Sequence, residues 1–168
     1  MIVHLMVWLL VSTLNVQQDD PVHPVEVISC IERDSFKDQI EVSLHNNPYY
    51  LRGDFDGDKR IDLAIQIKGR KTRRNGVLIC TAKESIVLGA NSPTVPPFST
   101  MPGDNFVAPH WEVFTREETR KISTYNPVAP KEAKKPKGES IAMIWEDGIS
   151  IIFWDGKRFR WTCYDNCE

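Results

Sequence analysis

The sequence predicts an α+β fold that is predominantly antiparallel β, with a C-terminal three-stranded meander, a central hairpin and one N-terminal helix. Three observations support this fold class. Apolar and polar residues alternate after position 60, two Asp-Gly pairs separate three apolar runs near the C-terminus, and eleven prolines and nine glycines favour many turns. The 168 residues, 41% hydrophobic and 26% charged, suit one globular domain. The formal net charge of -2 gives no attraction to nucleic acid, which is not an expected partner.

The first 18 residues predict a secretory signal peptide. They are mostly apolar up to Ser12 and turn polar at Asn15, and this run is shorter than the roughly 20 apolar residues that span a bilayer. A buried N-terminal strand is the alternative. We therefore expect residues 19–168 to form one β-rich domain outside the cytoplasm, periplasmic or secreted, with no transmembrane anchor in the mature chain.

The segment "DDPVHPVEVISCIERDSFKDQI" predicts the N-terminal helix within residues 19–48. Its acids and prolines suit a first helical turn. The β-branched residues keep a strand as the alternative. The apolar stripe of this helix would consist of Val25, Ile28, Cys30 and Ile31.

The central hairpin is predicted from an alternating run that begins at Ile61. Its apolar positions, which would share one face, are Ile61, Leu63, Ile65 and Ile67. The polar connection "GRKTRRNG" ends in Asn75-Gly76, a pair typical of hairpin turns, and "VLICTA", "SIVLGA" and "HWEVFT" predict further strands. A proline-rich loop over residues 91–105 and a lysine-rich, solvated loop over 126–139 interrupt them.

The C-terminal meander follows from two Asp-Gly turns, Asp147-Gly148 and Asp155-Gly156. If Asp147-Gly148 is the two-residue turn, Ile144 lies opposite Ile151, and both faces of this hairpin are apolar. Such a pair of strands is expected to be covered on both sides. The last strand alternates apolar and polar residues, which places it nearer a sheet edge.

Four cysteines form an even set that allows three pairings. They are Cys30, Cys80, Cys163 and Cys167. In an oxidising compartment we expect them to form disulfides. One arrangement joins Cys163 to Cys167 and Cys30 to Cys80, but the sequence leaves the pairing open.

The segment "GDFDGDKRIDLAI" has acids at relative positions 1, 3, 5 and 9, which is the spacing of a Ca²⁺ loop. They are Asp54, Asp56, Asp58 and Asp62. Ca²⁺ takes six to eight oxygen ligands, and alternate positions of a tight loop turn toward one centre. Without a cation, carboxylates about 4 Å apart would repel by about 4 kcal/mol per pair at an effective dielectric near 20. The spacing predicts a structural Ca²⁺ cofactor; a solvated aspartate-rich turn is the alternative.

The same segment resembles the calcium loop of FG-GAP and VCBS-type repeats, whose pattern is roughly D-x-[DN]-x-D-G-x-x-D-L. The matching residues are Asp54, Asp56, Asp58, Asp62 and Leu63. The resemblance, which covers about residues 50–80, implies that the four carboxylates and the backbone carbonyl of Arg60 bind the metal. Lys59 stands where the family has glycine, at a point where a positive φ is often required. The whole chain is similar to short exported bacterial proteins of no assigned activity.

Common catalytic motifs are missing from the sequence, including G-x-S-x-G, H-E-x-x-H, the Walker loop and G-x-G-x-x-G, so an enzyme is not expected. The first hypothesis is an exported, non-enzymatic interaction module that binds an unknown extracytoplasmic protein. The alternative is a carbohydrate-binding or carbohydrate-active domain whose aromatic side chains stack on a glycan. Those side chains would be Trp111, Trp145, Trp154, Trp161, Tyr49 and Tyr50. An exposed, concave row of rings would favour the glycan, and buried rings would favour the protein partner.

Overall fold

A computed structural model describes residues 22–33, 36–90, 108–125, 129 and 131–164 of the chain. The predicted signal peptide, the proline-rich loop predicted over 91–105 and Cys167 lie outside these residues. Within the described part, no helix has the length and apolar character that crossing a membrane requires.

Two antiparallel sheets and two helices make up the fold. In chain order the elements are α1 (Val25–Arg33), β1 (Ile40–Val42), β2 (Tyr50–Gly53), β3 (Asp62–Gly69), β4 (Asn75–Cys80), β5 (Ser85–Gly89), β6 (His110–Phe114), α2 (Arg116–Tyr125), β7 (Ser140–Ile144), β8 (Ile149–Trp154) and β9 (Phe159–Tyr164). The first sheet has the order β1-β3-β4-β5, and β2 pairs beside β1 on the same edge of β3. The second sheet has the order β6-β7-β8-β9. The predicted antiparallel α+β fold, with its N-terminal helix and C-terminal meander, is confirmed.

The two sheets pack face to face around the largest hydrophobic cluster. Successive side chains of a strand point to opposite faces, so Val77 and Ile79 of β4 enter this cluster while Leu78 points to the α1 side. Met143 and Ile152 reach the same cluster from the second sheet. The order of layers is therefore α1, first sheet, second sheet, α2.

The predicted first strand needs one correction at its start. Ile61 is 63% exposed and precedes β3, which begins at Asp62. The other apolar positions, Leu63, Ile65 and Ile67, do share one face and pack in the cluster beneath α1. Ile61 is excluded from that face because it belongs to the end of the acidic loop.

The buried face of α1 also differs from the predicted stripe. Val25 is 79% exposed and Ile28 is 40% exposed, whereas Val27 and Cys30 are buried and Ile31 packs beside them. Positions three and four apart share a helix face. Since Cys30 is bonded to the sheet, its neighbours on that face at 27 and 31 are the ones that turn inward.

The hairpin between β7 and β8 is shifted by two residues from the predicted register. The N–H of Trp145 donates to the carbonyl of Gly148 at 2.9 Å, so these two residues enclose the turn. Ile144 therefore lies opposite Ile149 and not opposite Ile151. A shift of two residues leaves every side chain on its predicted face, because the side-chain period of a strand is two.

The turn between β8 and β9 lies where the sequence predicts it. Gly156 has φ +98, the conformation that suits glycine at the first central position of a II′ turn. Asp155 Oδ1 accepts hydrogen bonds from the N–H groups of Lys157 (2.8 Å) and Arg158 (2.9 Å). Burial raises the pKa of Asp155, but these hydrogen bonds and the charge of Arg160 outweigh it, so the pKa lies below its usual value.

The predicted Asn75-Gly76 turn is wrong, because both residues belong to β4. The turn lies just before them and includes Arg73 at φ +57. Gly76 is needed for packing, since a Cβ there would lie 2.6 Å from the carbonyl oxygen of Leu88 in β5.

The helix α2 was not predicted. It begins with a capping box, in which the N–H of Thr115 donates to Glu118 Oε2 at 2.8 Å and the N–H of Glu118 donates to Thr115 Oγ1 at 3.2 Å. The chain after it, predicted as a solvated loop, buries Ala129 and Ala133 against the outer face of the second sheet. These two small residues are the reason that part of this loop is not solvated.

Candidate metal centre

The acidic loop joins β2 to β3. Gly53 and Asp62 are paired across the two strands, so the residues between them form a closed loop at the end of a hairpin. Gly57 and Lys59 both have positive φ, +78 and +71. Lys59 therefore adopts a backbone conformation that glycine adopts more readily.

Three of the predicted ligands converge. Asp54, Asp56 and Asp58 each offer one carboxylate oxygen, and these oxygens all lie within 4.8 Å of one another. Arg60, whose carbonyl is a further predicted ligand, lies in the same loop, and its N–H donates to Asp58 Oδ1 at 2.9 Å. The spacing of the acids thus produces the common focus that a cation site requires.

Asp62 lies beside this group of three and is 1% exposed. Its Oδ2 accepts hydrogen bonds from the N–H groups of Phe55 (2.8 Å) and Asp56 (3.2 Å). Its Oδ1 is buried and has no hydrogen-bond partner among the residues described. A buried carboxylate oxygen without a partner is costly, because the lost hydration is not replaced.

Burial raises the pKa of Asp62 to about 6. Hydrogen bonds from the N–H groups of Asp56 and Phe55 lower this pKa, whereas the negative charges of the Asp56 and Asp58 carboxylates raise it. The loop is thus a place of concentrated negative charge with low access to water.

Basic side chains from other elements partly neutralise the acids. Arg116 Nη2, at the start of α2, lies 3.0 Å from Asp54 Oδ2. Lys83 Nζ, in the turn between β4 and β5, lies 3.2 Å from Asp56 Oδ2. Arg60 Nε is 4.0 Å from Asp58 Oδ2. All three basic side chains are more than half exposed to solvent. Each can therefore move away from its carboxylate into water without disturbing the core.

The remaining carboxylate oxygens hold the loop in shape. Asp54 Oδ1 accepts from the N–H of Lys59 at 3.1 Å, and Asp56 Oδ1 accepts from the N–H of Asp58 at 3.0 Å. Each carboxylate oxygen has two lone pairs, so one hydrogen bond leaves capacity for a metal contact.

The loop also contacts the chain just before β7. The N–H of Asp54 donates to Glu139 Oε2 at 2.8 Å, and the N–H of Glu139 donates to the Asp54 carbonyl at 2.7 Å. A Cβ on Gly138 would lie 2.6 Å from the Phe55 carbonyl oxygen, and one on Gly57 would lie 2.6 Å from that of Lys137. The acidic loop therefore joins the two sheets, which the sequence spacing does not indicate.

The residues present fit a divalent cation. The donor set is made only of oxygens, which favours Ca²⁺ or Mg²⁺ over softer metals. Asp62, the fourth predicted acid, is not one of the three converging residues, but its buried Oδ1 has no hydrogen-bond partner among the described residues, and a bound cation would compensate that oxygen.

The structure contains the disulfide between Cys30 and Cys80, with Cα atoms 5.9 Å apart, inside the usual range. Cys163 is also disulfide-bonded. The disulfide between Cys30 and Cys80 ties α1 to β4, so one of the pairings that the sequence left open is present.

The six aromatic residues proposed for a glycan platform are packed to different degrees. Trp111 and Trp161 are buried in the central cluster, and Trp145 and Trp154 are half-buried against it. Tyr49 and Tyr50 are half-buried against the cluster beneath α1. Among the described Trp and Tyr side chains, only Tyr125 is exposed, at 80%.

Comparison of the chain with protein-family models, curated proteins and solved structures finds no match. The likeness to FG-GAP and VCBS-type loops consequently depends on the resemblance within about residues 50–80 alone.

Proposed function

We propose that this chain is an exported, non-enzymatic interaction module in which the acidic loop binds one structural Ca²⁺. The observation that supports the metal is the convergence of Asp54, Asp56 and Asp58 beside the buried Asp62, whose Oδ1 has no hydrogen-bond partner among the described residues. These four carboxylates and the carbonyl of Arg60 are the proposed ligands.

The proposed role of Ca²⁺ is to stabilise the loop. The loop aspartates accept hydrogen bonds from backbone N–H groups within the loop, an arrangement that fixes a turn. Bound Ca²⁺ would take the place of Arg116 and Lys83 as the neutralising charge at Asp54 and Asp56.

Two further observations support an interaction module outside the cytoplasm. The Cys30–Cys80 disulfide suits an oxidising compartment. The four tryptophans that the structure describes are buried or half-buried in the core, which favours a protein partner over stacking on a glycan.

The test is thermal unfolding of the purified mature protein in EDTA and in CaCl₂. At a Ca²⁺ concentration about 100 times Kd, binding to the folded state contributes about 2.7 kcal/mol, which for a chain of this size raises Tm by roughly 5–10 °C. MgCl₂ should raise it less, because Mg²⁺ demands a stricter octahedral geometry.

The matched variants are Asp56→Asn, which removes one proposed ligand charge, and Asp38→Asn, which removes an exposed acid elsewhere. We expect Asp56→Asn to lose most of the Ca²⁺ increment and Asp38→Asn to keep it. A wild-type Tm that is the same in EDTA and CaCl₂ would overturn the metal proposal.

A further inference from the structure

The strand β5 is an edge of the first sheet, and no described strand pairs with its outer side. Edge strands in native proteins are usually protected from pairing by charged residues, proline or short length. β5 has the sequence "SIVLG", which contains neither a charged residue nor proline. Among the described residues, nothing in its sequence or pairing closes this outer edge to a further strand.

The register identifies the backbone groups that this edge presents. The N–H of Ala90 donates to the carbonyl of Asn75 at 3.0 Å. Hydrogen-bonded and non-hydrogen-bonded pairs alternate along an antiparallel ladder. Counting back from that bond along the pairing of β4 with β5, Ser85 and Val87 fall in non-hydrogen-bonded pairs. Their N–H and C=O groups point away from β4, toward the outer side.

A groove of about 300 Å³ runs along this edge. Phe36, which packs with the cluster beneath α1, lines one side of it, while Trp154 and Phe159, which belong to the central cluster, line the other. Alternate side chains of an added strand point to opposite faces. They would meet Phe36 on one face and the Trp154–Phe159 pair on the other.

The groove is lined by more positive than negative charge. Lys157 and Arg158 line it and are exposed, and neither forms an ion pair with a described residue. Glu84 is the one acid among the lining residues. A partner with acidic side chains beside an apolar core would complement this surface.

We propose that the groove along β5 binds an extended, acidic peptide segment of a partner protein by strand addition. Backbone hydrogen bonds to Ser85 and Val87 would supply affinity, apolar side chains would pack on Phe36, Trp154 and Phe159, and acids would pair with Lys157 and Arg158. This inference names the partner class of the proposed interaction module, and the groove contains none of the proposed Ca²⁺ ligands.

The probe is an array of eight-residue synthetic peptides in which apolar residues alternate with aspartate or glutamate, together with scrambled peptides of the same composition. The full mature protein is applied in CaCl₂ and in EDTA, and the affinities of bound peptides are measured by fluorescence anisotropy. We expect alternating peptides to bind at least about tenfold tighter than scrambled ones, since only they can present apolar and acidic side chains in register with the groove.

Two substitutions at one position test the backbone contact. Ser85→Pro removes an outward N–H that β4 does not use, so the sheet should remain intact while peptide affinity falls by about tenfold or more. Ser85→Ala keeps that N–H and should bind as the wild type does. Methylating the peptide nitrogens that face β5 should weaken binding similarly without altering the protein.

The charge contact is tested by Lys157→Glu combined with Arg158→Glu, which we expect to weaken binding about tenfold and to reduce its salt dependence. Lys121→Glu combined with Lys131→Glu makes the same charge change at exposed positions that do not line the groove, and should have little effect.

The peptide result is scored separately from the Ca²⁺ increment in Tm, so either proposal can fail alone. Equal binding of alternating and scrambled peptides, or full affinity in both Ser85→Pro and the N-methylated peptide, would overturn the groove proposal. A wild-type dimer that Ser85→Pro converts to a monomer in sedimentation would also overturn it, because the occupant would then be a second copy of this chain.

Discussion

The two helices cover the outer faces of the two sheets by different physical means. The nine residues of α1 bury Val27 and Cys30, and a disulfide bonds Cys30 to β4. The ten residues of α2 bury two polar residues, Thr119 and Ser123. The helix α1 is attached through apolar contact and a covalent bond, whereas α2 is attached through the Ser123–Tyr164 hydrogen bond and the apolar contact of Ile122. A short helix can therefore be held on a sheet with few apolar side chains if its polar groups all find partners.

The largest expected effect comes from removing the covalent attachment. Replacing Cys30 and Cys80 together by alanine should lower the free energy of unfolding by about 2–5 kcal/mol, because the bond closes a long loop whose ends are 50 residues apart. Chemical denaturation measures this. A midpoint equal to that of the wild type would show that apolar contacts alone hold α1.

The next effect concerns the hydrogen bond that attaches α2. Ser123 Oγ and Tyr164 Oη are both buried and lie 2.7 Å apart. Tyr164→Phe leaves the serine hydroxyl without this partner and should cost about 1–3 kcal/mol. Adding Ser123→Ala should recover part of that loss in a double-mutant cycle. Additive losses in the cycle would contradict the direct contact.

The cap of α2 gives a smaller effect. Thr115→Ala should cost about 1 kcal/mol, because it removes the side chain that accepts from the Glu118 N–H. Thr124→Ala, near the end of the same helix, is the matched control. Equal losses of stability in the two variants would show that the cap contributes no more than a threonine elsewhere in the helix.

The same cap predicts a pH dependence. Hydrogen bonds from the side chain and then the backbone of Thr115 lower the pKa of Glu118 below its ordinary value of 4.5. Because the pKa of Glu118 is lower in the folded than in the unfolded state, the stabilisation from its ionised form is complete above about pH 4.5. It is lost as the pH falls through the pKa of Glu118 in the folded state. The difference in stability between wild type and Thr115→Ala should therefore become smaller as the pH is lowered, because, of the contacts that the substitution removes, only the hydrogen bond from the Thr115 hydroxyl to the Glu118 carboxylate depends on ionisation. A constant difference down to pH 2 would contradict this.

The smallest expected effect lies in the acidic loop, and it is an increase in stability rather than a loss. Lys59 has φ +71, so Lys59→Gly should stabilise the protein by about 0.5–1 kcal/mol. It also removes a cation from the acidic loop and should tighten Ca²⁺ binding. Lys71→Gly, at an exposed turn residue whose φ is not positive, is the control. Stabilisation of equal size in the control would mean that backbone strain at Lys59 is not the cause.

The sequence predicts the strands better than the helices, for a physical reason. A strand with one buried face shows its period directly, as Leu63, Ile65 and Ile67 do. The helix α2, "REETRKISTY", has almost no apolar stripe, since its buried residues are polar. The available clue was its capping box, Thr115-x-x-Glu118.

The acidic loop likewise has features that the sequence predicts and features that it does not. The convergence of Asp54, Asp56 and Asp58 follows from local spacing and was predictable. The partners from distant segments were not, because Arg116 is 62 residues from Asp54 and Glu139 is 85 residues from it. Local sequence determines which oxygens can share a centre, whereas the packing of the two sheets determines which cations and N–H groups reach them.

The mutual hydrogen bonds between Asp54 and Glu139 affect how the domain responds to its surroundings. They connect the β2–β3 hairpin with the segment that leads into β7, so the halves of the chain share a hydrogen-bonded junction at the acidic loop. A domain connected in this way loses both sheets in a single cooperative step when the junction is firm. If the junction loosens, the second sheet can open first while the half that contains the Cys30–Cys80 disulfide stays folded. If the acidic loop binds Ca²⁺ as proposed, the Ca²⁺ concentration of the medium would determine how many unfolding steps the protein shows.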